Sequence, residues 1–137
     1  MISDITQKIG SFFEKYPEVV AVYLFGSYAR GREQRDSDLD LAILLDQTAL
    51  PRLNKLKRQF TIDLARILRK DLHLVIMNSA GEALIAQIFK YGRCILNQRP
   101  ELLSRFKMSR YAMIAEFAYY RDQMKKGFIN RLLGESH

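Results

Sequence analysis

Phe25-Gly26-Ser27-Tyr28-Ala29-Arg30-Gly31, followed by Ser37-Asp38-Leu39-Asp40-Leu41, is the stretch that decides the fold of this chain. Val19 to Phe25, leading into it, is an unbroken β-branched and aromatic run that reads as a buried strand. Gly26-Ser27 is expected to turn the chain into a short helix that stops near Gly31, with a polar loop over Arg32 to Ser37. Asp38 to Leu45 then reads as a second strand. Ten residues separate Ser27 from Asp38, which gives the pattern Gly-Ser-x10-Asp-x-Asp.

Residues two apart on a strand share a face, so Asp38 and Asp40 are expected to project together, about 6–7 Å apart at the backbone. That spacing suits metal ions about 3.5–4 Å apart. Carboxylate oxygens with room for water suit Mg²⁺ held jointly with substrate phosphates. Leu39, Leu41, Ile43 and Leu45 fall on the other face and read as core. Gly26 permits a sharp turn and close approach of backbone to an anion. Ser27 adds a hydroxyl where the N–H groups of a following helix would gather. Arg30, Arg32 and Arg35 stand nearby as counter-charges for phosphate. Gly26-Ser27 alone is an ordinary turn, and two aspartates alone are strand-edge charges. Their combination at this spacing points to a phosphate-and-metal site.

Working outward, Ile2 to Tyr16 reads as a helix with Ile5, Ile9, Phe12 and Phe13 on one stripe, ended by Pro17. Pro51 is expected to open a helix to about Lys70, with Leu53, Leu56, Phe60, Leu64 and Ile67 at helical spacing. Leu72 to Met77 reads as a third strand, Gly81 to Tyr91 as a helix capped at Gly92, and Arg93 to Leu96 as a short fourth strand. A last helix is expected from Pro100 to about Lys126, with Leu103, Phe106, Met113, Phe117, Tyr120 and Met124 near heptad spacing. It is longer than a small sheet is wide, so it must fold back on the domain's own helices, project, or meet a partner. The fold class expected is α+β, a small mixed sheet with helices packed on it and a long C-terminal helix. One domain is expected over 1–137, with a core over 1–97 and a helical extension over 100–133.

The 137 residues are 48% hydrophobic and 27% charged, a globular composition. The longest apolar run, Val19 to Phe25, is too short to span a bilayer, and Met1 to Lys15 lacks a signal-peptide core. No membrane role is expected. The single cysteine, Cys94, fits a reducing cytoplasm and reads as packing material. The net charge of +7 concentrates in Arg52 to Lys70, where seven basic residues face Asp63 alone. A solvated helix face, an acidic partner and nucleic acid all fit that balance.

Val20 to Leu44, carrying Gly26-Ser27-Tyr28-Ala29-Arg30-Gly31 and Ser37-Asp38-Leu39-Asp40, resembles the signature of the DNA polymerase β-type nucleotidyltransferases. Within them it is similar to the minimal branch, the MntA-type antitoxins paired with HEPN toxins. The resemblance implies ATP as nucleotide donor, Mg²⁺, and transfer of AMP to a tyrosine hydroxyl of a HEPN RNase, which neutralises it. It implies Asp38 and Asp40 as catalytic and metal-holding residues, and Gly26, Ser27, Arg30 and Ser37 as nucleotide contacts. Transfer to a small hydroxylated molecule is a second reading, and a non-catalytic antitoxin acting by contact is a third.

The superfamily usually supplies a third acid from the strand after the intervening helix. Here that strand begins Asp71-Leu72-His73-Leu74-Val75, and counting back from Asn78-Ser79-Ala80 puts His73 in the acid's place. Imidazole is a poor Mg²⁺ ligand but can accept a hydroxyl proton. Three readings stay open: His73 as a catalytic or orienting group, Asp71 as the acid, or neither.

Overall fold

A computed structural model describes residues 2–29, 31 and 38–134. The elements follow in the order α1 (Ile2–Phe13), β1 (Val19–Phe25), β2 (Leu39–Leu45), α2 (Leu53–Leu68), β3 (Leu72–Ile76), α3 (Glu82–Tyr91), β4 (Arg93–Asn97) and α4 (Pro100–Leu132). Short 3₁₀ turns over Gln47–Arg52 and Met77–Ser79 join them. The four strands form one sheet in the order β3-β2-β1-β4. β1 pairs antiparallel with β2 and β4, whereas β2 and β3 run parallel, so the sheet is mixed as expected.

Both sheet faces are covered. Leu39, Leu41, Ile43 and Leu45 pack with Ile9, Phe12 and Phe13 of α1 and Leu56, Phe60 and Leu64 of α2. Phe60 is the centre of this cluster, with its ring 4.8–6.0 Å from those of Phe12, Phe13 and Tyr16. The alternate residues, Tyr23 and Phe25 of β1 with Ala42 and Leu44 of β2, pack under Ile85 and Ile88 of α3 and Leu103 of α4. The face of β2 that carries Asp40 is therefore core from Ala42 onward, and only its first residues are open to chemistry.

Local chemistry sets the element ends. Asp46 accepts a hydrogen bond from the Thr48 N–H at 2.8 Å and caps a 3₁₀ turn that contains Pro51. The helix expected to open at Pro51 accordingly starts at Leu53. Arg69 closes α2 in the left-handed region, at φ 54° and ψ 43°. Asn78 continues the ladder where β3 stops: its Oδ1 accepts from Leu45 N at 2.8 Å and its Nδ2 donates to Leu45 O at 2.9 Å. Gln98 Nε2 donates to the carbonyls of Tyr16 and Val19 at 3.0 and 2.7 Å, tying the end of β4 to the start of β1.

One expectation fails, and one open alternative is decided. Gly26 to Ala29 form a turn rather than a helix, with Gly26 and Gly31 at φ of +73° and +67° on either side. The last helix does not fold back. It is continuous over 33 residues, about 50 Å at about 1.5 Å per residue, and everything from Tyr119 to Gly134 is exposed. At about 100° per residue, Met113, Phe117, Tyr120 and Met124 fall on one side and Met108, Tyr111 and Ile129 on the other. Its apolar residues thus point both ways, and one domain surface cannot cover both sides.

Candidate active site

The chain gathers its candidate chemistry at one end of the sheet. The antiparallel register sets Asp40 opposite Phe25, so the turn at Gly26 leaves β1 beside it. The parallel register sets His73 opposite Asp40 on the other side. His73 Nδ1 lies 3.2 Å from Asp40 Oδ1. The Asp40 side chain is 27% exposed and that of His73 66% exposed, so the pair is open to a ligand.

Gly26 faces the other carboxylate oxygen. A β-carbon built on it would overlap Asp40 Oδ2 and lie 3.0 Å from Cγ, and its φ of +73° disfavours any side chain. The glycine is thus required twice, by the turn and by the carboxylate it abuts. Ser27 is the next residue of the turn and half-buried, and Tyr28 anchors the turn in the core.

Asp38 is exposed and directly precedes β2, two residues before Asp40. Leu39 N donates to Asp71 O at 3.0 Å, which ties the entry of β2 to the entry of β3. Asp71 therefore stands before β3 begins, and His73 is the residue the register brings to Asp40. Arg30, Arg32, Arg35 and Ser37 lie outside the described residues.

One cation was missed in the sequence. Lys70 Nζ stands 5.4 Å from the centre of the Tyr28 ring, which brings a positive charge against the turn that carries Ser27. In the sequence Lys70 is one of seven basic residues near α2, and only the packing of Tyr28 singles it out.

Cys94 departs from its expected packing role. It is exposed on the edge strand β4, with its Sγ 3.5 Å from Leu96 O. Partial burial of the sulfur pushes the thiol pKa up, the opposite of an activated nucleophile. Tyr111, Tyr119 and Tyr120 are exposed along α4.

A mixed sheet that places an aspartate pair and a Gly-Ser turn at one end is the architecture of a nucleotidyl-transferring domain. The chain belongs to the family described as Polymerase beta, Nucleotidyltransferase, whose model matches residues 7–101. It is similar to the Protein adenylyltransferase MntA of Shewanella oneidensis, 35% identical over 81 residues. That match takes in 58% of this chain and 55% of the relative, so it spans about half the relative's length. A crystal structure of a toxin-antitoxin with AMP-PNP contains a chain of TM-score 0.70 and 25% identity, covering 90% of this chain and 98% of its own. A tri-AMPylated Shewanella oneidensis HEPN toxin in complex with MNT antitoxin gives TM-score 0.67 at 22% identity, over 94% of this chain and 99% of that one, a likeness of fold. Among the described residues no helix is long and apolar enough to cross a membrane.

Proposed function

We propose that this protein is an antitoxin that transfers AMP from ATP to a tyrosine hydroxyl of a HEPN RNase partner and so neutralises it. The observation that carries the reading is the junction of Gly26, Asp40 and His73 at the open end of a nucleotidyltransferase sheet. The similar MntA is named a protein adenylyltransferase, and the similar folds come from toxin-antitoxin crystals, one with AMP-PNP.

The residues present fit a divalent ion. Asp40 is a partly exposed carboxylate, Asp38 is an exposed one two residues away, and the neighbouring backbone is glycine. Among the described residues no group of three His, Cys, Asp or Glu side chains gathers as a closed cage. Two hard carboxylates with room for water and phosphate oxygens are the donor set Mg²⁺ takes in nucleotide sites. Bound there, the ion would neutralise triphosphate charge and polarise the reacting phosphorus. Asp38 and Asp40 would hold it.

The remaining roles fall to the turn and to β3. Gly26 keeps the space beside the Asp40 carboxylate free, and Ser27 offers its hydroxyl to a phosphate oxygen. Lys70, Arg30 and Ser37 supply further charge and hydrogen bonds to the nucleotide. With Nδ1–H donating to Asp40 Oδ1, His73 keeps Nε2 as an acceptor for the proton of the attacking hydroxyl. The tyrosine oxygen then bonds to the α-phosphorus, the bond to the β-phosphate bridge breaks, and pyrophosphate leaves.

Isotope placement tests this. Label in the α-phosphate of ATP should pass to the cognate partner, and label in the γ-phosphate should not. Transfer of γ-label would mean phosphorylation and would remove the reading. Neutralisation by contact is favoured by one observation, the exposed apolar length of α4, which offers a surface to a partner whether or not transfer occurs.

A further inference from the structure

Among the described residues, Arg69 alone holds a positive φ without being a glycine. It closes α2 in the left-handed region, where glycine is the ordinary helix stop because a β-carbon is strained there. The strain sits at the catalytic end of the sheet. Arg69 is two residues from Asp71, whose carbonyl accepts from Leu39 N at 3.0 Å, and Leu39 lies between Asp38 and Asp40. Two residues of chain reach no more than about 7 Å. The next residue, Lys70, places its Nζ 5.4 Å from the centre of the Tyr28 ring, so the α2–β3 turn is braced against the turn that carries Ser27. Arg69 is exposed, and among the described residues no acid pairs with its guanidinium.

We propose that Arg69 binds the β- and γ-phosphates of the donor nucleotide, and that this charge is what the strained cap supplies. The inference rests on the nucleotide-binding reading of the site and not on the identity of the acceptor. Asp38 and Asp40 add negative charge beside a triphosphate, so cations close by are needed to hold it. The fold also sets the side from which they come. Asp40 and His73 are register partners, and Asp40 shares its face of β2 with Ala42 and Leu44, under α3. Tyr28 lies instead in the cluster of α1 and α2, so the turn through Ser27 crosses toward the α2 side. The acceptor's proton goes to His73, and the phosphates beyond the reacting one extend toward Ser27. The α2–β3 turn closes on them from α2. A guanidinium offers paired N–H donors that match phosphate oxygens, which a glycine cap cannot do. A cation at a helix C-terminus also complements the helix dipole, but that role needs no nucleotide and shows itself in stability alone.

The test uses the full chain with Mg²⁺ and a ribose-labelled fluorescent ATP, displaced in turn by ATP, inorganic tripolyphosphate and AMP. In Arg69→Gly, ATP and tripolyphosphate should compete roughly tenfold or more weakly, whereas AMP should compete as it does on the unaltered protein. Arg69→Lys keeps the charge and should retain most of the affinity. The melting temperature of Arg69→Gly should be unchanged or higher, because glycine relieves the left-handed strain. Undiminished competition by ATP in Arg69→Gly would overturn the proposal, as would equal weakening of AMP and ATP. A lowered melting temperature with ATP affinity intact would make Arg69 a structural cap. Asp38→Ala/Asp40→Ala separates this inference from the reading beneath it. If labelled ATP binds the unaltered protein and is lost in that double variant, while Arg69→Gly binds normally, only the role of Arg69 falls. If the unaltered protein binds no labelled ATP, the nucleotide site itself falls, and Arg69 with it.

Discussion

His73 on β3 and Asp40 on β2 face each other across a parallel register, with Nδ1 3.2 Å from Oδ1. The contact fixes one ring nitrogen against a carboxylate and leaves the other facing outward, as in sites where an acid orients a histidine base. His73→Ala should slow AMP transfer by roughly 10²–10⁴-fold while ATP affinity is retained. Single-turnover rates, measured beside calorimetric binding, check both halves. A near-normal rate would return His73 to packing and move attention to Asp71.

Gly26→Val should abolish nucleotide binding, because its side chain would occupy the space of the Asp40 carboxylate and its φ is positive. The left-handed backbone adds strain of about 1–2 kcal/mol, visible as a lowered melting temperature. Ser27→Ala should cost about 1.5–3 kcal/mol per lost hydrogen bond to a charged phosphate, without unfolding. Titration calorimetry with ATP and Mg²⁺ separates the two. Normal ATP binding by Gly26→Val would show that the turn does not cradle the phosphates.

Core and extension should respond differently to truncation. Phe60→Ala removes the ring around which Phe12, Phe13 and Tyr16 pack and should destabilise by about 3–5 kcal/mol. Met124→Ala lies on the uncovered part of α4 and should change stability of the isolated chain by less than about 0.5 kcal/mol. Urea unfolding followed by circular dichroism measures both. A large loss at Met124 would mean that the distal helix is covered in solution.

The Asp46 carboxyl is held below the usual carboxylate range by the Thr48 backbone N–H, then by the Thr48 hydroxyl and Arg99. Because the folded state favours the charged form, its contribution is complete above the ordinary Asp pKa and is lost as pH falls through the depressed one. Asp46→Asn should therefore be less stable than the unaltered protein at neutral pH, and the gap should narrow in acid. Denaturant melts across that range check it, and a gap that widens in acid would reverse the sign.

Much of the fold was legible because periodicity alone decides it. Val19 to Phe25 is apolar without a break and lies buried throughout, and Phe60 and Leu64 recur at the step that fills a helix face. His73 was legible by counting back from Asn78, whose side chain does end the ladder at Leu45. The Gly26 turn was misread because a glycine and a serine open helices and turns alike. The exposed length of α4 was not decided either. Helical spacing shows which residues share a side, not whether anything covers it. The place of Lys70 against the Gly26 turn was not legible, because its contact with Tyr28 crosses from α2's end to the turn after β1.

Adenylyl transfer itself is tested most directly by intact-mass spectrometry of the cognate HEPN partner after incubation with ATP, Mg²⁺ and this protein. The account predicts mass steps of one AMP each, placed on a tyrosine, and loss of RNase activity in the modified partner. Asp38→Ala/Asp40→Ala should give no step and no neutralisation, even where the two proteins still associate. An unshifted partner mass, with the double variant neutralising as well as the unaltered protein, would contradict it and leave contact along α4 as the mechanism.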